Sequence, residues 1–271
     1  MSDRSNWNEC AARHDRIVPR TWIGAENHSL AAPSAEQRLS VSGSRTISST
    51  HASEWVLWQL ADSAFPTGGF AHSMGLEAAW QLREIESTED LSRFIQTHLS
   101  QSGRASLPFV NSAFQQTHPF AELDALCDAF LSNHVANRGS RAQGKAFALA
   151  TGQAFDRITL AQFRAAALKE KWPCHFAPTF GSVLRELQIT HEMCVRLFLF
   201  MSLRGLIGAA IRLGIVGPMQ AQELQVELNP HAESIAASCA SLGLDQLTQT
   251  SPLLEVFQGA HDRLYSTLFQ T

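Results

Sequence analysis

From Glu54 onward apolar residues recur at intervals of three and four, a rhythm that the preceding fifty-two or so residues lack. Trp55, Leu57, Trp58 and Leu60 begin a helix. In STEDLSRFIQTHL (87–99), Ser87 stands three residues before Asp90, the spacing of an N-terminal capping pair, and Leu91, Phe94, Ile95 and Leu99 share one face. Pro119 suits a helical first turn, and Phe120, Leu123, Leu126, Cys127, Phe130 and Leu131 then follow the helical period. TLAQFRAAALKEKW (159–172) consists of strong helix formers and stops at Pro173, while Pro218, just after Gly217, opens PMQAQELQVEL. No alternating β-branched run bounded by hairpin turns occurs. The pattern predicts an all-α fold, a single-domain bundle of about eight to ten helices with short connections over residues 54–271. Residues 1–53, which include the polar, Ser-rich SAEQRLSVSGSRTISST, are expected to form a disordered extension.

The most apolar stretch, MCVRLFLFMSLRGLIGAAIRLGIVG (193–217), approaches the length of a membrane span but carries Arg196, Arg204 and Arg212. An arginine near the middle of a span costs about 2.5–3.5 kcal/mol on insertion, so the stretch is read as a core helix and no membrane association is expected. Spaced eight apart, the three arginines advance about 80° each around the helix. Either at least one meets a buried carboxylate or another protein surface, or all three snorkel out of a crowded bundle.

Composition narrows the classes of function. Charged residues are 17% of the 271 and the net charge is −4, which argues against a nucleic-acid partner that needs clustered Lys and Arg. Sixteen Phe and six Trp against one Tyr, Tyr265, favour apolar burial and interfaces over hydroxyl networks. The five cysteines are odd in number, widely spaced and without a CxxC pair, so neither a disulfide framework nor a zinc ribbon is expected. With an N-terminus that lacks an apolar signal core, they point to a reducing cytoplasm.

LADSAFPTGGFAHSMGLEAAW (60–80) interrupts one helical pattern and resumes it at once. Gly68 and Gly69 allow positive φ where the first helix ends, Pro66 sets the approach, and Ser73 is placed to cap the helix carrying Leu76, Ala79 and Leu82. Asp62 and Ser63 are placed to hold the loop's free amides. By itself this is a helix–loop–helix corner, serving either as a plain turn or as a presented surface.

DSAFPTGGFAHSMGLEAA resembles the signature of the UreF family of urease accessory proteins, through Asp62, Ser63, Pro66, Gly68, Gly69, Phe70, Ser73, Gly75, Leu76 and Glu77. SRAQGKAF (140–147), CHFAPTFG (174–181), AAIRLGIVGPMQAQ (209–222) and HDRLYSTLF (261–269) are similar to further family blocks in the same order. The resemblance covers roughly residues 54–271. It implies a non-enzymatic, cofactor-free helical scaffold that dimerises, binds a UreD/UreH-type partner, recruits the GTPase UreG and so helps deliver nickel to apo-urease. It further implies a C-terminal segment ordered by the UreD/UreH-type partner, and an influence on GTP hydrolysis whose direction stays open. Partner contacts are then expected from the corner, including His72, from Arg141 and Lys145 on an exposed helical face, and from Tyr265, Leu268 and Phe269. Two departures stand out: many bacterial relatives have an aromatic such as Tyr where this chain has His72, and many have Arg at the positions of Thr267 and, in some, Gln270.

Rival chemistries are weaker. Gly139, Gly144 and Lys145 have the spacing of a phosphate-binding loop, the alternative being a helical nucleotide-binding protein, but Ala146 replaces the Ser or Thr that ligates magnesium and helix precedes the motif. Close helix packing is the better reading of Gly144. His191 with Cys194, and Cys174 with His175, could each offer at most a two-ligand contact to passing nickel, and no resident metal is expected. A purely structural dimerisation module is the remaining alternative.

Overall fold

The structure, a computed structural model, describes residues 49–270, with side chains from Glu54 onward. The expected extension therefore lies outside the described residues up to position 48, as does Cys10. Eleven α-helices are described: α1 (Ser49–Ala61), α2 (Leu76–Gln81), α3 (Thr88–Ala105), α4 (Leu107–Gln115), α5 (Phe120–Phe130), α6 (His134–Ala154), α7 (Ile158–Lys169), α8 (Phe176–Glu186), α9 (His191–Arg212), α10 (Pro218–Cys239) and α11 (Pro252–Ala260). Among the described residues there is no strand, and the all-α bundle is as expected. The first helix begins at Ser49, five residues before Glu54.

Local chemistry sets the helix ends. Ser87 and Asp90 form a reciprocal capping box, with Asp90 N–H on Ser87 Oγ at 3.1 Å and Ser87 N–H on Asp90 Oδ2 at 3.0 Å. Asn133 Oδ1 accepts from the amides of Val135 and Ala136 to start α6, and Thr190 Oγ1 accepts from Met193 to start α9. Pro218 occupies the first turn of α10.

The core is densest where α8 lies between α4 and α6. A Cβ at Gly181 would come 2.3 Å from the Val110 carbonyl oxygen, so α4 and α8 pack backbone to backbone there. Phe180 joins three helices through ring contacts with Phe147 of α6 (5.3 Å between centroids), Phe176 (5.4 Å) and Phe198 of α9 (5.4 Å). This is the use of the Phe-rich composition: close rings filling a bundle centre.

Among the described residues, α9 alone is long and apolar enough to cross a membrane, and 61% of its most apolar window is buried within the fold. Its arginines follow neither of the two expected routes completely. Arg196 joins exposed Glu192 and Glu233 at the surface. Half-buried Arg204 donates to the carbonyl of Ala61, the last residue of α1, and lies over the rings of Phe70 and Phe200. Arg212 donates to the Phe70 carbonyl. Both of these cations thus serve main-chain carbonyls rather than a buried carboxylate, Arg204 at a helix C-terminus where orphan carbonyls and the macrodipole favour one.

Candidate functional site

The corner between α1 and α2 is built from main-chain turns anchored by apolar side chains. Asp62 Oδ1 accepts from Ala64 N–H at 2.8 Å, as expected of that residue; Ser63 and Pro66 are exposed beside it. Phe65, which sequence reasoning passed over, is the anchor: it is buried and stacks on Phe155 at 6.2 Å and edge-on to Phe147 at 6.4 Å. Gly68 has φ +73°, the left-handed geometry expected of the pair, but Gly69 does not and instead starts a short 3-10 turn through Ala71. Phe70, in that turn, leaves 41% of its surface exposed.

One expectation about the corner is corrected. Ser73 does not cap α2: the N-cap is Gly75, at φ +87°, and Ser73 Oγ is buried without a hydrogen-bond partner. The sequence signal for this was already present, since only glycine takes that φ without strain. Glu77, expected among the partner contacts, has its carboxylate buried inside the fold.

What Glu77 binds is the C-terminus. Its Oε1 accepts from Leu268 N–H at 2.6 Å and its Oε2 from Phe269 N–H at 3.3 Å. Gln270 N–H reaches the Ala71 carbonyl at 2.8 Å, and Gln81 Nε2 donates to the Ser266 carbonyl at 2.9 Å. Tyr265 is fully exposed and Leu268 is 54% exposed beside this junction. Phe269, expected as a third contact residue, is buried instead, with the Arg212 guanidinium 4.1 Å from its ring centroid. The structure thus brings the corner and the tail together through side chains that the sequence placed only in separate motifs.

Behind the corner lies a cavity of about 190 Å³, lined among others by Gly69, His72, Met74, His98, Met201 and Arg204. Burial, then the Arg138 guanidinium and His261, push the His72 pKa below its usual 6.5. Burial alone brings His98 down to about 4. Both imidazoles are therefore neutral at pH 7.

Arg141 and Lys145 are exposed on α6, where they line a groove with Arg138 and His134. Arg138, not anticipated from sequence, forms a two-pronged pair with Asp262 (2.8 and 3.2 Å), which ties the 3-10 turn after α11 to α6. Asp262 is thereby held down at about 2.

The phosphate-loop alternative is contradicted. Residues Gly139 to Lys145 lie inside α6, so no loop exists to cradle a phosphate. Gly144 faces the main chain of the α7–α8 connection, where a Cβ would stand 2.0 Å from the Cys174 carbonyl oxygen. That connection is held by Asp124, fully buried, which accepts from Cys174 N–H and His175 N–H, both at 2.7 Å.

Of the possible nickel contacts, both His175 ring nitrogens and His191 Nε2 are engaged within the fold. His175 is wholly buried with Nε2 on Asp128 Oδ1 (2.9 Å) and Nδ1 on Ser140 Oγ (3.1 Å), leaving no ring nitrogen free. Ser140 Oγ also accepts from Phe176 N–H at 3.1 Å, so this Ser–His–Asp chain positions the first turn of α8. His191 Nε2 lies 3.0 Å from Asn111 Oδ1, and burial pushes the Cys194 thiol far above its usual range. Burial also raises the Cys174 thiol to about 11. Among the described residues no group of three or more His, Cys, Asp or Glu is arranged to hold a metal ion.

A family model described as UreF matches residues 85–229 of the chain. The urease accessory protein F of Arabidopsis thaliana is 40% identical over 220 residues, covering 80% of this chain and 92% of that protein. The protein of the same name from Oryza sativa subsp. indica is 38% identical over 221 residues, covering 80% and 85%. A urease accessory protein UreF from Trichodesmium erythraeum (strain IMS101) is 29% identical over 229 residues, covering 82% and 99%.

Proposed function

The chain belongs to the UreF family of urease accessory proteins, and on that premise we propose that it serves urease maturation as a platform, acting by surface complementarity rather than bond chemistry. In this reading it works as a homodimer in the cytoplasm. A UreD/UreH-type partner binds it, the pair recruits the GTPase UreG, and the assembly delivers nickel to apo-urease.

One observation supports placing the docking surface at the corner and the tail. Segments nearly two hundred residues apart meet there through Gln270 N–H on the Ala71 carbonyl, and exposed Phe70, Tyr265 and Leu268 surround the contact. Large apolar side chains next to fixed polar groups are the usual composition of an interface's energetic centre. Arg141 and Lys145 on α6 would add steering toward an acidic partner surface. The test is recruitment of purified UreG by this protein with its UreD/UreH-type partner, before and after removal of the last nine residues. Loss of recruitment is expected; unchanged recruitment rules out the tail.

A further inference from the structure

The cavity behind the corner is walled mainly by α3, α6, α9 and the corner itself. Its lining is mostly apolar, with Phe109, Phe198 and Met201 among the buried side chains. The polar groups on that wall are short of partners. Gln258 Oε1 is buried without a hydrogen bond, and neither the Gln143 amide nor the Ser106 hydroxyl makes one among the described residues. The only hydrogen-bond partner of the His98 ring is Ser102 Oγ, at a long 3.4 Å. Arg204 is the one charged side chain in the lining, which contains no Asp, Glu or Lys. Its guanidinium donates to the Ala61 carbonyl and forms no ion pair among the described residues. Burial lowers the Arg204 pKa, and the charge of Asp62 offsets that only in part.

We propose that this cavity is a binding site for a small monocarboxylate whose apolar body is about the size of one aromatic ring, with the carboxylate on Arg204 and the body against Met201 and Phe198. The charge of the ligand follows from the wall. A half-buried guanidinium without a counter-ion gains most from an anion, and its planar fork matches a carboxylate with two parallel hydrogen bonds. A cationic ligand would find no carboxylate there. The size follows from the volume: a cavity of roughly 150 Å³ accepts benzene, and about 190 Å³ leaves room for a ring with one small substituent. The amides of Gln143 and Gln258 supply further donors and acceptors for the polar end. The site needs no second protein, so this inference stands or fails separately from the docking proposal.

Isothermal titration of the purified full chain tests it, with benzoate as the probe, benzamide as its neutral counterpart and acetate as charge without a ring. Benzoate should bind one site per chain with a dissociation constant of about 1 mM or tighter, and should raise the thermal midpoint as its concentration rises. Benzamide and acetate should each bind at least roughly tenfold more weakly, the first for lack of charge and the second for lack of apolar contact. Arg204→Gln keeps an amide donor for the Ala61 carbonyl and should weaken benzoate roughly tenfold while leaving benzamide unchanged. Ser102→Leu fills the cavity from α3 and should abolish binding of both, with helical circular dichroism unchanged. If either variant loses helix content, the benzoate-to-benzamide ratio in the wild type decides. No saturable benzoate binding up to roughly ten times the expected constant, benzamide binding as tightly as benzoate, or benzoate retained by a folded Ser102→Leu would overturn the proposal.

Discussion

Two buried carboxylates in this molecule do the same chemistry with opposite consequences. Asp124 accepts the amides of Cys174 and His175, and Glu77 accepts those of Leu268 and Phe269. Beyond Asp124 the chain enters α8, whose first six residues are all buried, and the junction is reinforced by the His175 bridge between Asp128 and Ser140. The segment on Glu77, residues 264–270, is irregular, with exposed side chains on either side of Phe269. The lesson is that the hydrogen bond does not determine rigidity; what the captured segment is attached to does. The first junction is welded into the core, and the second presents a surface.

The largest effect should come from crowding the welded junction. Gly144→Ala forces a methyl group against the Cys174 carbonyl, where backbone rather than a flexible side chain must move. It should cost about 3 kcal/mol or more, read as a lower urea midpoint at unchanged slope. Gly69→Ala at the corner meets the end of the Gln143 side chain at 3.2 Å and Thr67 Oγ1 at 3.5 Å, and should shift the midpoint little. Equal effects at both sites would erase the distinction.

Acid probes the space between the regions. His98 lines the cavity and has a folded pKa of about 4 against 6.5 when unfolded, so below pH 6.5 the unfolded chain binds the proton that the folded one refuses. Stability should fall as the pH drops from 6.5 toward 4, by about 3 kcal/mol from this residue, and level off below. His72, also lowered, adds in the same direction on the corner side. His98→Gln should flatten the acid limb of a stability–pH curve; an unaltered limb would mean that His98 is not the group responsible.

A smaller contrast follows from the carboxylates themselves. Asp124→Asn should cost about 2 kcal/mol of global stability, because one of two buried amides loses its acceptor. Glu77→Gln should change global stability by less than about 1 kcal/mol, since Phe269 is the one large side chain that residues 265–270 bury. Chemical denaturation of both variants measures the difference, and a reversed order would contradict it.

Much of the scaffold was legible because it is local. Ser87 with Asp90, Pro218 and the apolar spacing of α3 are decided within one or two turns, and Gly144 stood out as a packing glycine once its phosphate-loop reading lacked a hydroxyl partner. Periodicity could not reveal pairings set by how helices cross. Asp124 with the Cys174–His175 amides, Glu77 with the tail and Arg138 with Asp262 join positions 50 or more residues apart. Nor could it show that α10 continues through Pro230, or that Phe269 turns inward while Leu268 turns out. Ser73 failed as a cap for a local reason: Gly75 accepts the left-handed geometry that the turn requires.

The central claim is that the corner and tail present the docking face while the welded core only supports it. The direct measurement is the affinity of the UreG-type GTPase for the complex of this protein with the proposed UreD/UreH-type partner, comparing wild type with the Phe70→Ala/Leu268→Ala double variant. Both side chains are substantially exposed, so the variant should keep its thermal midpoint and helix content. The account predicts at least roughly tenfold weaker binding, as expected for losing apolar anchors at an interface centre. Wild-type affinity in a folded double variant would contradict it.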